Sequence, residues 1–183
     1  STLQNTKTVY SSSEQMPVVL PEMEQLLPPL SAEQFSALES DILANGCYAH
    51  IIVNEDIVIV DGHNRFRICE KHGLPFKMLV FSFKDLLEAK QWALNTQKGR
   101  RNLDKWELGK IALKLKPEIE ARAHANMSAG GGNHKSEDMK SGSVNSPNPI
   151  LPVDTRKEAA QAVGIGEQTM GRVAQLAENA PQV

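Results

Sequence analysis

Residues 57–73 read "IVIVDGHNRFRICEKHG". Four apolar residues, Ile57 to Val60, lead into Asp61-Gly62, and a polar cluster, His63-Asn64-Arg65, opens the next segment. The apolar run predicts a buried strand, and "HIIVN" before it, across Glu55-Asp56, completes a short hairpin. A helix is predicted over 63–72, with Gly73 closing it. A glycine at a strand end lets a ligand approach the backbone, and the helix that follows offers free N–H groups and a positive dipole end. Arg65 and Arg67 add charge-assisted donors. The junction therefore reads as an anion site. Asp61 is either an acid–base group or a cap, and His63 is either a phosphate donor or a structural histidine.

On either side the pattern is that of a mixed α and β chain. Residues 1–29 read as irregular, because the prolines of "PVVLPEMEQLLPPL" block a long helix. Ser31 and Gln34 form a capping box for a helix to about Leu43, ended by Asn45-Gly46. "FKMLVF" is a further strand, and Ser82 with Asp85 opens a helix through about Asn95. A long helix covers about 104–125. The stretch 127–152, rich in Gly, Ser, Asn and Pro, reads as a flexible linker.

Composition fixes the class. The 183 residues are 40% hydrophobic and 23% charged, which is ordinary for a globular protein and long enough to bury a core. No apolar run approaches the roughly 20 residues of a spanning helix. The first 20 residues hold one lysine and no compact apolar segment, which argues against a signal peptide. Cys47 and Cys69 lack a partner motif and read as reduced, so the expected location is cytoplasmic. The chain starts at Ser1 and stops just after a helix, as a trimmed piece of a longer protein would. Charge is uneven: residues 1–60 hold one lysine against eight acids, while residues 98–122 hold eight bases against four acids. A basic segment in an acidic chain suits a phosphate partner, although a solvated helix face with paired charges looks the same.

The tail has its own logic. Thr155 to Glu158 reads as a second capping box, and 155–178 as two helices around Gly164-Ile165-Gly166. A helix-turn-helix needs a small residue at the crossing, a glycine at the turn and apolar wedge residues. Ala160 and Gly164 take the first two roles; Ala159, Val163, Ile165, Met170 and Val173 take the third. Any amphipathic helical hairpin would match some of these. As a DNA reader, the second helix would present Glu167, Gln168, Thr169 and Arg172 to the major groove of double-stranded DNA. Residues 154–183 carry three bases against four acids, so the tail alone is too acidic to hold DNA and needs the basic segment or a second subunit.

"DGHNRFRICEKHGLPF" resembles the signature box of the ParB/sulfiredoxin superfamily, and "NTQKGRRNLDKWEL" resembles the second box of partition proteins. With the helix-turn-helix after them, the order is similar to that of ParB-like proteins of plasmids, phages and integrative elements. The resemblance implies an α+β fold: a small mixed-sheet ParB/sulfiredoxin-like nucleotide-binding domain over 1–97, then an all-helical DNA-binding part over 98–183. It implies a homodimer in a partition or regulatory role, controlled by a nucleotide (CTP or ATP) with Mg2+, and no membrane partner. By position, Gly62, Asn64 and Arg65 match the phosphate box, with His63 and Arg67 beside them, and Gln97, Arg100 and Arg101 match the second. His63 stands where the first box has an acid, and where sulfiredoxins need a reactive cysteine. The Glu-Asn pair that helps hold metal is missing from the second box, and Lys98-Gly99 separate Gln97 from Arg100, so hydrolysis of CTP is in question. The free serine kinases carry a similar Asp-Gly-His-His-Arg box with a catalytic aspartate, which Asp61 matches. A small-molecule kinase is thus the alternative; a nuclease, also a label in this superfamily, lacks a paired-carboxylate motif here.

Overall fold

The computed structural model describes residues 8–98, 100, 103–129 and 154–179. Four strands, β1 (Val9–Ser11), β2 (Ile51–Val53), β3 (Ile59–Asp61) and β4 (Lys77–Val80), form one sheet in the order β1-β4-β2-β3. β1 pairs antiparallel with β4, β4 runs parallel to β2, and β2 and β3 form the expected antiparallel hairpin. Among the described residues seven helices accompany them: α1 (Pro21–Glu24), α2 (Ala32–Asn45), α3 (His63–His72), α4 (Leu86–Lys98), α5 (Lys105–Ala129), α6 (Thr155–Val163) and α7 (Glu167–Asn179). The architecture is α+β with a mixed sheet.

The chain divides into two compact units, 1–107 and 108–183. In the first, Ile51, Val53, Ile59 and Met78 from the sheet pack with Ile42 of α2 and Phe66, Ile68 and Cys69 of α3. Alternation explains β2: Ile51 and Val53 are buried while Ile52 is half-buried. Helix α3 closes on Gly73 in the left-handed conformation, whose N–H reaches Cys69 and Glu70 carbonyls. Ser31 and Gln34 cap α2 reciprocally, side chain to backbone, as read from the sequence.

Three local readings need correction. Residues 1–29 are not all irregular: Val9–Ser11 adds a strand to the sheet edge, and Pro21 starts a single turn of helix. The proline lacks an N–H that the first turn would leave unpaired in any case, so it starts a helix it could not continue. At α4, Asp85 is the cap, accepting from Glu88 N at 2.8 Å, while Ser82 donates to Glu55. At α6, Asp154 is the N-cap, accepting from Lys157 N at 3.2 Å. Thr155 is the first helical residue, and its hydroxyl donates to Glu120 of α5. The reading 127–152 as a linker falls mostly outside the described residues, as does Arg101.

In the second unit, α6 ends at Gly164 (φ 74°), whose N–H and that of Ile165 return to the last turn of α6. Ala159, Ala160, Val163, Met170 and Val173 are buried, whereas Ile165 is only half-buried. Val173 lies against Gly109 of α5 so closely that a Cβ on that glycine would stand 2.6 Å from its Cγ2. Among the described residues no helix is long and apolar enough to cross a membrane.

Candidate functional site

Strand β3 delivers Asp61 to the end of the sheet, and the chain turns into α3 through Gly62 at φ 104°, ψ 21°. Only glycine adopts that conformation without strain. A Cβ there would also meet Arg65 Nη2 at 3.0 Å and Ile51 at 3.3 Å. Phe66 N–H donates to the Gly62 carbonyl at 2.9 Å, which is the first bond of the helix. No side chain caps this end, and no acid lies in the first turn of α3. Among the described residues the other six helices each carry a glutamate there. Compensation of the positive end of α3 is left to carboxylates outside the helix, Asp61 just before the cap and Glu24 of α1.

Asp61 is held from both sides. Gln97, from the last turn of α4, donates its amide to Oδ1 at 2.9 Å, and Arg65 Nη2 lies 3.6 Å from Oδ2. Arg65 also donates to the His50 carbonyl at 3.3 Å. Gln97 is 8% exposed, so the contact is shielded from solvent. Asn64 is half-buried on the first turn of α3, and Arg100 is exposed, its N–H donating to the Gln97 carbonyl. The structure thus joins Asp61, Gly62, Arg65 and Gln97, residues that the sequence spreads over two boxes.

Arg67 turns away from that group. Its Nε and Nη2 donate to the two oxygens of Glu24 at 3.0 and 3.1 Å, and Nη1 lies 3.6 Å from Glu70. His63, one turn before Arg67, feels both Glu24 and Asp61. Burial lowers its pKa below the ordinary 6.5, and the two carboxylates only partly offset this. His63 Nε2 and Arg65 Nε are buried with no hydrogen-bond partner. Such orphaned donors or acceptors are expensive unless a ligand or water meets them.

Sequence reading missed Glu22, Glu24 and Lys90. Residues 17–19 lie along the free edge of β3, Val18 bridging Val58, and so bring α1 beside the junction. Lys90 lies on the face of α4 that also carries Gln97, and its Nζ meets Glu22 at 3.0 Å. The sequence signal was faint: Lys90 and Gln97 seven residues apart, and two acids in "PEME".

Cys69 offers no second chemistry. Cys47 and Cys69 are both free, and burial, then Cys47 beside it, pushes Cys69 up to about 12. A thiol held that high is a poor nucleophile. Among the described residues no group of three or more His, Cys, Asp or Glu could hold a metal ion.

No family model and no curated protein sequence matches the chain. Among solved structures, two of a pNOB8-like ParB N-domain superpose on nearly all of it. One gives a TM-score of 0.64 at 17% identity, covering 96% of this chain and 71% of the other. The second gives 0.62 at 19%, covering 99% and 68%. A C-terminally truncated chromosome-partitioning ParB from Caulobacter crescentus, complexed with CTP-gamma-S, overlaps at a TM-score of 0.43 and 16% identity, with 93% and 79% covered, too loosely to carry an argument. The four-stranded mixed sheet and the helices that accompany it have the fold of a ParB N-domain.

Proposed function

We propose that the chain is a ParB-like DNA-binding protein with a partition or regulatory role, and that the start of α3 binds the phosphates of a nucleotide. The carrying observation is the junction itself. It combines a left-handed glycine, an uncapped helix start without a first-turn acid, and two buried unpaired nitrogens, on His63 and Arg65. An anion placed there would accept from the α3 amides and meet the dipole end. Gly62, His63, Asn64 and Arg65 are the proposed contacts, with Gln97 and Arg100 beside them; Arg101, outside the described residues, is proposed as a further contact from its place in the second box. CTP and ATP both supply the phosphates. Magnesium would arrive on those phosphates, where it would neutralise charge; Asp61 would be the junction's own carboxylate available to it, and the described residues supply no fuller cage.

DNA binding is proposed for the second unit as a helix-turn-helix with α7 in the major groove. Glu167, Gln168 and Arg172 are exposed on α7 and Thr169 is half-buried, while Met170 among them and Val173 just after are buried. Gln168 lies in the first turn, where base edges come closest. The acidic balance of the hairpin leaves phosphate contact to α5, where Lys110 and Lys114 are exposed one turn apart, or to a second copy of the chain.

The kinase reading asks Asp61 to act as a base. Both of its oxygens already face donors, Gln97 and Arg65, which suits a positioning carboxylate better. Fluorescence anisotropy with labelled duplexes, with and without nucleotide, separates the two. A DNA reader loses about 1–3 kcal/mol on its preferred duplex in Gln168→Ala. A kinase is indifferent to that change and loses turnover in Asp61→Asn. Absence of duplex binding at low salt, with or without nucleotide, would sink the DNA reading.

A further inference from the structure

Two cations from different helices end on the same short turn. Arg67 of α3 grips both oxygens of Glu24, and Lys90 of α4 meets Glu22. The Lys90 side chain is 4% exposed, whereas that of Glu22 is 54% exposed. Met23, between the two acids, is buried. The fork that Arg67 makes on a carboxylate is the one an arginine makes on a phosphate. The charge of Glu24 also acts on His63, whose Nε2 is unpaired. A four-residue helix has no cooperative stability of its own, so α1 is held in place by its contacts.

We propose that Glu22 and Glu24 are built-in stand-ins for a polyphosphate. They hold Lys90 and Arg67 while no ligand is bound, and a di- or triphosphate at the start of α3 takes over those cations and releases α1. Lys90 thereby joins the site as a further anion-binding residue. The inference rests on the phosphate reading of the α3 junction and adds its regulation. The physical reason is that a largely buried ammonium must keep an anionic partner, so exchange of one anion for another costs far less than baring the cation. A tether that served only to hold the fold predicts the opposite sign: neutralising it would loosen the site and weaken ligand.

The test is a calorimetric titration of sodium tripolyphosphate into the full chain at low salt, for wild type, Glu24→Gln and Glu22→Gln. Glu24→Gln should bind roughly two- to five-fold more tightly, the range set by a partly exposed ion pair. Hydrogen exchange supplies a second reading on wild type alone: tripolyphosphate should speed exchange of the amides around residues 20–26. Tighter binding in the variants with faster exchange on ligand supports the stand-in role. Equal or weaker binding in a Glu24→Gln protein that melts normally overturns it and leaves the α3 site intact. If that variant does not fold, α1 amides that exchange no faster with ligand overturn it instead. No binding by wild type or by either variant overturns both the stand-in role and the phosphate reading.

Discussion

Gly62 joins a conformational demand to a steric one. At φ 104° any other residue is strained, and its Cβ would press on the guanidinium of Arg65. Gly62→Ala is expected to lose about 1–3 kcal/mol of stability, read by urea unfolding. The demand for a glycine could be read from "VDGHN" alone. What could not be read was which arginine stays at the junction. Arg65 and Arg67 are two apart on a helix and so point to different faces. One returns to Asp61 and the His50 carbonyl, the other reaches Glu24. That choice depends on partners 15 and 43 residues away.

His63 supplies a pH test at the same scale. Burial lowers its pKa from the ordinary 6.5, with Glu24 and Asp61 opposing and Arg67 assisting. The unfolded chain therefore takes up a proton before the folded one does. The stability tied to a neutral His63 is full above about pH 6.5 and falls as pH drops through that value toward the lower folded one. Glu24, lowered chiefly by its hydrogen bond with Arg67, adds a loss of the same sign only below about 4.5. Thermal melts from pH 7.5 to 5.5 should show a decline that His63→Gln reduces. A His63→Gln protein with the same slope as wild type would remove His63 from the account.

Among elements, the legible ones announce themselves locally. The capping box at Ser31 and Gln34, and the left-handed glycines after α3 and α6, sit within a few residues of what they cap. Strand β1 was illegible because three residues show no periodicity, and their pairing lies across the sheet on β4. The cap of α6 was misread by one position, since both Asp154 and Thr155 are good N-caps and only the contact of Thr155 with Glu120 decides between them. A sharper demand falls on α5. Alanine at Gly109 would improve helix propensity by about 0.8–1 kcal/mol, yet its Cβ would stand 2.6–2.9 Å from three atoms of Val173. Val173 is β-branched and buried, so it cannot swing aside. Gly109→Ala should therefore destabilise the second unit by about 1–3 kcal/mol net of propensity. Gly109→Ala with Val173→Ala should recover part of the loss in the same melts, and a Gly109→Ala protein as stable as wild type would show that α7 yields.

Across the molecule, charge is unevenly divided. Residues 1–60 are acidic, and part of that excess lies on α1 against the site's cations. The basic excess lies around α5, where burial, and next Lys110, lower the pKa of Lys114. Two lysines that repel each other gain from a polyanion between them. Lys110→Ala and Lys114→Ala should each weaken all duplexes alike and reduce the slope of log K against log salt by about one. Gln168→Ala should leave the slope unchanged and alter only preference among sequences. Anisotropy at two salt concentrations reads both. The charge division was visible in the sequence; that the acids serve as partners for Arg67 and Lys90 was not, because those pairs span 43 and 68 residues.

Calorimetric titration of CTP with magnesium, repeated with ATP, into wild type and Arg65→Ala tests the central claim most directly. Arg65 stands where the polar exit of β3, the uncapped start of α3 and an unpaired guanidinium nitrogen coincide. The expected result is saturable one-site binding in wild type. In an Arg65→Ala protein with native circular dichroism, affinity should fall by about 1.5–3 kcal/mol, the range for a charge-assisted hydrogen bond. Equal affinity in the two proteins, or no binding of either nucleotide by wild type, would contradict the claim.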